Sequence, residues 1–546
     1  MDQPPVNALI VVPVLLPLIA GALMLPFDDR WRALKVSVSL ATLFVLLGTA
    51  AALLDFAHRG GPEGAGAVGV HLLGDWPAPF GIVLVADRLS ALMLVLTALL
   101  ALASFVFALA RWHRAGPRFY SIFLFLLVGL NGAFLTGDLF NLFVFFEVML
   151  AASYGLVLHG SGIARIKAGL HYIPINLVAS SLFLVGVSLI YGTTGTLNMA
   201  DLAGRIAHVG GGERMLVEAG AAILAVAFLV KAAMWPLNFW LPTTYSAAGA
   251  PVAAMFAIMT KVGVYVILRL SLLLFGENSG ASAGFGMAWL LYGGLATLAF
   301  GTIGVLAAQS MPRFAGYSVL VSSGTLLSAI GIGDAAIVSG ALYYLASSTL
   351  AIGAFFLLIE LVERGRAAGA DVIAVSMAIF GEADEDQVGA GEEVGVALPS
   401  TMAALGGAFI GCAVLLAGLP PLSGFIAKLA MLSALIQVAG AVPASSWVLV
   451  ALLAVSGLAA LIAMTRTGIS TFWMPMEASL PSVRAVEFIP VAGLLSICFA
   501  LTVFGGPVLG FMEATSRALH APAGYVQDVL SAPRTGPAPH AAKEAP

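Results

Sequence analysis

Three lysines and one glutamate stand inside apolar runs where lipid-facing chain has no use for charge. Lys231 follows twelve residues, Ala219 to Val230, that carry no charged or strongly polar side chain. Lys261 lies in the middle of the apolar run 251–270, and Lys428 two turns beyond the Pro420–Pro421 pair. Glu147 ends the run Asp138-Leu-Phe-Asn-Leu-Phe-Val-Phe-Phe-Glu147, midway along the fifth apolar span. An ionisable side chain at the centre of a membrane helix costs about 2.5–3.5 kcal/mol on insertion scales, so such groups are default candidates for function. The chemistry open to them is proton transfer. A lysine amine gains and loses a proton within reach of neutral pH once its surroundings change, whereas arginine stays charged. A carboxylate at ~4 Å contributes roughly 4 kcal/mol at an effective dielectric of 20. Each pK unit corresponds to about 1.4 kcal/mol. Making or breaking a Glu147–Lys231 pair therefore shifts the lysine's proton affinity enough to load and release a proton.

Two devices accompany these charges. Pro236 follows Lys231 by five residues; lacking an N–H, it leaves the carbonyl of Ala232 without its helical partner. Pro420 and Pro421 interrupt a second span ahead of Lys428. Discontinuous helices in corresponding halves of a chain mark ion sites near the midplane. Thr260, Ser318, Ser322, Ser323, Ser347 and Ser348 are the hydroxyls expected to hold linking water between the lysines. The competing readings are a static Glu–Lys pair that only fixes packing, and snorkelling of Lys261 and Lys428 toward the interface.

The elements that position these groups follow from composition. The chain has 546 residues, of which 60% are hydrophobic and 10% charged, with mean hydropathy +1.03. Soluble domains carry about 25% charge. The fold class is all-α and polytopic. A net charge of −4 without a basic patch excludes nucleic acid as a partner. Cys412 and Cys498 lie in apolar runs and read as buried free thiols. With no cysteine cluster, no histidine ligand spacing and no dinucleotide fingerprint, no metal, cofactor or catalytic residue is expected, and the chain is not read as an enzyme. Met1-Asp2-Gln3 lacks a basic start, so the first apolar run reads as a retained helix.

Apolar runs predict about fourteen spans, near 7–26, 34–54, 89–110, 118–137, 139–158, 170–191, 218–240, 246–272, 287–308, 314–332, 336–362, 399–439, 447–465 and 487–512. Alternate loops hold 13 of the 24 Lys and Arg residues, which places both termini on the outer face. Residues 55–87 form a Gly/Pro-rich outer loop in which Phe80 to Ala86 reads as a short strand. Residues 363–398 form an inner loop with Glu382, Asp384, Glu385, Asp386, Glu392 and Glu393 close together, either a solvated connector or else a docking face for a partner or an ion-attracting surface. The tail, 521–546, reads as unstructured.

The motif Lys231-Ala-Ala-Met-Trp-Pro…Trp240-Leu-Pro, followed by Ala250-Pro-Val…Met259-Thr-Lys-Val-Gly-Val-Tyr, resembles the signature of the proton-translocating antiporter-like subunits, which include the large membrane-arm subunits of respiratory complex I. Gly418-Leu-Pro-Pro-Leu-Ser-Gly-Phe-Ile-Ala-Lys428, Phe145-Phe-Glu147 and Gln309-Ser-Met-Pro-Arg-Phe-Ala-Gly-Tyr317-Ser extend the resemblance over nearly the whole chain. Length, the acidic stretch and Ile359-Glu-Leu-Val-Glu-Arg-Gly look most like the D-type subunits of the multisubunit Mrp (Pha) cation/proton antiporters. The resemblance implies fourteen helices with two inverted five-helix repeats, at 118–274 (helices 4–8) and 286–467 (helices 9–13), and broken helices 7 and 12. These are preceded by 1–117 (helices 1–3) and followed by 468–520 (helix 14) and the tail. It implies Glu147, Lys231, Lys261 and Lys428 as the proton path, H⁺ and Na⁺ or K⁺ as the ions, and a bacterial plasma membrane. Its implied partners are a large A-type subunit together with several small membrane subunits. The alternative it leaves open is a proton-pumping subunit of an NADH–quinone oxidoreductase; a scaffold that moves no ion is a further one. One departure stands out. Many relatives have a histidine in the eleventh helix, where this chain reads Tyr343-Tyr-Leu-Ala-Ser-Ser-Thr349.

Overall fold

The structure is a computed structural model that describes residues 4–27, 29–60, 66–115, 118–160, 162–379, 400–437, 443–473 and 483–534. In chain order its elements are α1 (Pro4–Leu23), α2 (Arg32–Arg59), β1 (Gly69–Leu72), β2 (Val83–Ala86), α3 (Arg88–Ala108), α4 (Phe119–Leu135), α5 (Leu139–Val157), α6 (Ile163–Thr194), α7 (Met199–Ile206), α8 (Gly211–Lys231) and α9 (Trp240–Ala247). They continue with α10 (Ala250–Phe275), α11 (Met287–Ala307), α12 (Met311–Ile332), α13 (Ala335–Ile379), α14 (Ser400–Ala417), α15 (Ser423–Gln437), α16 (Ala444–Gly468), α17 (Ala485–Val503), α18 (Gly505–His520) and α19 (Ala523–Leu530). Among the described residues, 11 helices are long and apolar enough to cross a bilayer, and Ala8–Leu23, Phe119–Leu135 and Ser423–Ile436 are shorter apolar helices. Glu213, Arg214, Glu218 and Lys231 crowd α8 and keep it outside that set. The chain is a predominantly helical, multi-pass membrane protein.

Burial sorts the helices. All 26 residues of α10 are buried, so the helix carrying Lys261 is the axis of the bundle. α3, α12 and α13 pack around it. α2, α6, α16 and α17 are buried on one side only and leave apolar faces outward, as lipid-facing helices must. α6 lies along α8, α4 along α5 and α15 along α13, which brings the broken helices against continuous ones.

Five sequence expectations are corrected. The first broken helix parts after Lys231 rather than at Pro236: α8 stops there, and Ala233 adopts φ +54°. Proline at 236 cannot donate to Ala232, so the hydrogen-bond ladder fails one turn earlier than the proline itself. The predicted inner loop 363–398 begins as helix, because α13 runs 45 residues to Ile379; its alanine-rich first half favours helix. The acidic cluster Glu382 to Glu393 lies outside the described residues. The last span is two helices, α17 and α18, parted at Phe504. Residues beyond 521 include α19, whose Val529 packs with Leu72, Val83 and Val85 of the hairpin. That apolar contact orders a segment whose composition alone suggested none. The strand expected over 80–86 is shorter, Val83–Ala86, and pairs antiparallel with β1, Leu72 opposite Val83.

Candidate functional site

Lys231 is the last helical residue of α8 and is fully buried. The backbone groups released by the break are taken up by neighbours. Ser323 of α12 donates to the Ala232 carbonyl. Trp235 N–H donates to Thr297 Oγ1 at 2.8 Å, and Trp240 Nε1 donates to the Val230 carbonyl at 3.2 Å. Non-helical backbone at membrane depth persists only where such partners exist. Ser323, expected to carry water, therefore serves the break instead.

The Lys231 ammonium donates to the Tyr172 hydroxyl at 3.3 Å. It also lies 5.5 Å from the centre of the Tyr172 ring and 5.9 Å from that of Phe146, where the negative ring faces favour a cation. Tyr172 OH and Ser153 Oγ are 2.7 Å apart, and Ser153 donates to the Leu150 carbonyl at 2.7 Å. The hydrogen-bond direction thus runs Lys231, Tyr172, Ser153, Leu150. The expected direct pair with Glu147 is not formed: no Glu147–Lys231 contact falls within 4.0 Å among the described ion pairs. Glu147 is half-buried and accepts instead from Ser180 of α6. The rings of Tyr172 and Phe146 stand beside the ammonium instead.

Lys261 lies two residues before Gly263, which backs directly onto the end of α8. A Cβ at 263 would meet Ala232 N and the Phe228 carbonyl at 2.7 Å, so only glycine permits this approach. The Lys261 ammonium donates to Ser322 Oγ at 2.7 Å, and Ser322 lies 3.0 Å from Ser348 Oγ. Beyond Ser348 is a cavity of about 20 Å³ lined by Ser318, Tyr344, Ser347, Ser348 and Ser456 among others. A volume of about 10–15 Å³ admits one water. Ser347 and Ser348 keep this stretch of α13 polar. Ser347 Oγ is 2.8 Å from Ser423 Oγ at the start of α15. Thr260 turns its hydroxyl to the Ala257 carbonyl at 3.1 Å, on its own helix.

Lys428 occupies the second turn of α15, just past the break at Gly418 to Leu422. Its ammonium donates to the Ala417 carbonyl, 2.9 Å away, at the C-terminal end of α14. A helix C-terminus carries partial negative charge and suits a cation. Gly457 of α16 lets the two meet. A Cβ there would lie 2.7 Å from the Ala417 oxygen and 3.4 Å from Lys428 Nζ.

The expected residues thus enter five sets of contacts: Lys231 with Tyr172 and Ser153, Glu147 with Ser180, Lys261 with Ser322 and Ser348, Ser347 with Ser423, and Lys428 with the Ala417 carbonyl. Sequence reasoning overlooked Ser153, Tyr172, Ser180, Ser423 and Ser456. For α6 a signal was present, since Tyr172, Asn176 and Ser180 recur every fourth residue in an apolar run. It also missed a third charged feature. Asp87, the cap of α3, pairs with Arg269 at the far end of α10 through two bonds of 2.5 and 2.8 Å. Burial pushes the Asp87 carboxyl up, but the Arg269 guanidinium and the Ser90 hydrogen bonds outweigh it and hold the group below the ordinary carboxylate range.

Broken helices in a bundle, each bringing a buried amine to a freed helix end, define a membrane protein of the ion-translocating class. Residues 136–458 match the family described as NADH:quinone oxidoreductase/Mrp antiporter, transmembrane, and the chain belongs to that family. It is 59% identical over 533 residues to the D subunit of a probable K⁺/H⁺ antiporter of Rhizobium meliloti, covering 97% of this chain and 98% of that protein. It is 32% identical over 530 residues to the D subunit of the Na⁺/H⁺ antiporter of Alkalihalophilus pseudofirmus, covering 96% and 99%. Among solved structures, a chain of the Mrp complex from Dietzia sp. superposes with TM-score 0.81 at 26% identity, covering 97% of this chain and all of that one. A chain of respiratory complex I from Thermus thermophilus shares the fold, with TM-score 0.72 at 23% identity over 93% of this chain and 99% of that one.

Proposed function

We propose that this chain is a subunit of a multisubunit monovalent cation/proton antiporter, and that protons cross it along Glu147, Lys231, Lys261 and Lys428. The observation that carries the reading is the row of hydroxyls from Lys261 through Ser322 and Ser348, past a water-sized cavity, to Ser347 and Ser423 at the start of α15, the helix that carries Lys428. Charges held only for packing need no such connection. The near full-length relatives named as D subunits of K⁺/H⁺ and Na⁺/H⁺ antiporters support antiport over redox-driven pumping. The exchanged ion is K⁺ or Na⁺, moved outward from the cytoplasm as protons enter. A large A-type subunit together with small membrane subunits completes the complex in a bacterial plasma membrane. The Lys and Arg distribution supports an orientation with both termini outside.

The test is a transport assay on everted vesicles carrying the complete complex. Adding Na⁺ or K⁺ without NADH should collapse an imposed proton gradient, and Lys231→Ala should abolish this while the complex still assembles. Normal antiport in that variant would reduce the chain to a scaffold, and a strict need for NADH would favour the complex I reading.

A further inference from the structure

We infer that Asn176 is the position through which Lys231 reaches Glu147, its amide oxygen receiving the ammonium between the Tyr172 hydroxyl and the carboxylate. This rests on the proton-path reading above. Tyr172, Asn176 and Ser180 follow one another at four-residue spacing and so share one face of α6, about 6 Å apart along its axis. The two ends of this row touch the two charged groups: Tyr172 accepts from Lys231, and Ser180 donates to Glu147. Asn176 lies between them and is fully buried. Its Nδ2 donates to the Tyr172 carbonyl at 2.7 Å. A carbonyl oxygen only accepts, so the orientation of the amide is settled, and Oδ1 is the atom left over. That oxygen has no hydrogen-bond partner among the described residues.

A buried acceptor without a donor is unfavourable and calls for an explanation. The donor that suits this one is the Lys231 ammonium, held by Tyr172, the residue one turn before Asn176 in α6. Lys231 has three N–H groups and, among the described residues, a single long hydrogen bond, that to Tyr172 at 3.3 Å. An amide oxygen is also the right chemistry for a stop along the way. It accepts a hydrogen bond but takes no proton, so the lysine arrives at Glu147 still charged. A carboxylate at 176 would hold the ammonium there. The titratable groups facing Lys231 and Tyr172 are Glu147 and Tyr154 of α5 and Tyr245 of α9. The Tyr154 hydroxyl is likewise buried without a partner among the described residues.

The experiment compares Asn176→Leu and Asn176→Asp with the unsubstituted complex, with Glu147→Gln and Lys231→Ala run in parallel. Initial rates of cation-driven proton movement in everted vesicles are recorded across the pH range and divided by the amount of assembled complex. Losing a hydrogen bond to a charged group predicts a rate roughly 10- to 100-fold lower for Asn176→Leu. Asn176→Asp keeps an acceptor but adds charge, so its pH profile should move toward alkaline pH by roughly one unit or more. Both variants lose the bond from Nδ2 to the Tyr172 carbonyl. A merely structural role would therefore lower assembly alike in both and leave the pH profile in place; that result overturns the inference. Should Asn176→Leu not assemble, the Asn176→Asp profile decides. Unimpaired transport in Glu147→Gln and Lys231→Ala would instead sink the proton-path reading itself. Loss of transport there, with Asn176 variants behaving as the unsubstituted complex, would sink only the role of Asn176.

Discussion

Replacing Asp87 should cost this protein more stability than any exposed charge could. Asp87 and Arg269 meet through two hydrogen bonds of 2.5 and 2.8 Å, with side chains 14% and 8% exposed. Removing one partner of a buried pair leaves the other charge uncompensated, at about 3–5 kcal/mol. Asp87 also caps α3, accepting from Ser90 N–H at 2.9 Å, and losing a cap costs about 1 kcal/mol more. Asp87→Ala should therefore destabilise by about 4–6 kcal/mol. Asp87→Asn keeps the capping oxygen and should stay near the lower figure. Stacking of Arg269 on Tyr525, 5.2 Å away, softens both values. Arg269→Met in the Asp87→Asn background should restore part of the loss, because no buried charge then remains. The measurement is the fraction of complex surviving heating, read by fluorescence-detected size exclusion at a fixed heating rate. A shift of roughly 3–4 °C is expected for Asp87→Asn. Acidity supplies a second check. The Asp87 carboxyl is depressed in the folded state, so its contribution is present above the ordinary value near 3.8 and is lost as pH falls through the lower folded value. The unsubstituted complex should lose this increment of stability only in that acid window, and Asp87→Asn should lack it. Strict additivity of the two substitutions would refute the claim that the pair stabilises.

Gly457→Ala places a methyl 2.7 Å from the Ala417 oxygen, on the Lys428 contact; transport should fall at least roughly tenfold with assembly retained, and an unchanged rate would remove that contact from the path. Ser322→Ala deprives Lys261 of its acceptor at 2.7 Å and should slow transport roughly 10- to 100-fold, while Ser322→Thr keeps the hydroxyl and most of the rate. Ser323→Ala leaves the Ala232 carbonyl unpaired and should lower stability by about 1–3 kcal/mol in a melting assay. It should leave the pH profile of transport unmoved; a moved profile would restore Ser323 to the relay.

What was legible in the residues was whatever follows from composition and local chemistry. Sixty per cent apolar content in long runs dictates helices in lipid, because backbone groups there have no other partners. A lysine inside such a run is conspicuous at once, since nothing nearby in the chain offsets the cost of placing it there. Pro236 and Pro420–Pro421 announce broken helices for the same local reason. Tertiary packing decided the rest. Which hydroxyl faces an ammonium depends on the rotation of one helix against another, and that rotation is set by contacts such as Gly263 on the end of α8. The pattern therefore pointed to Glu147 for Lys231, but packing placed Tyr172 there. It pointed to Ser323 for water, but the carbonyl freed by Pro236 claimed it. Asp87 and Arg269, 182 residues apart, could be joined only by the fold. α19 exists for a similar reason: its few apolar residues find a hairpin to cover that no local pattern reveals.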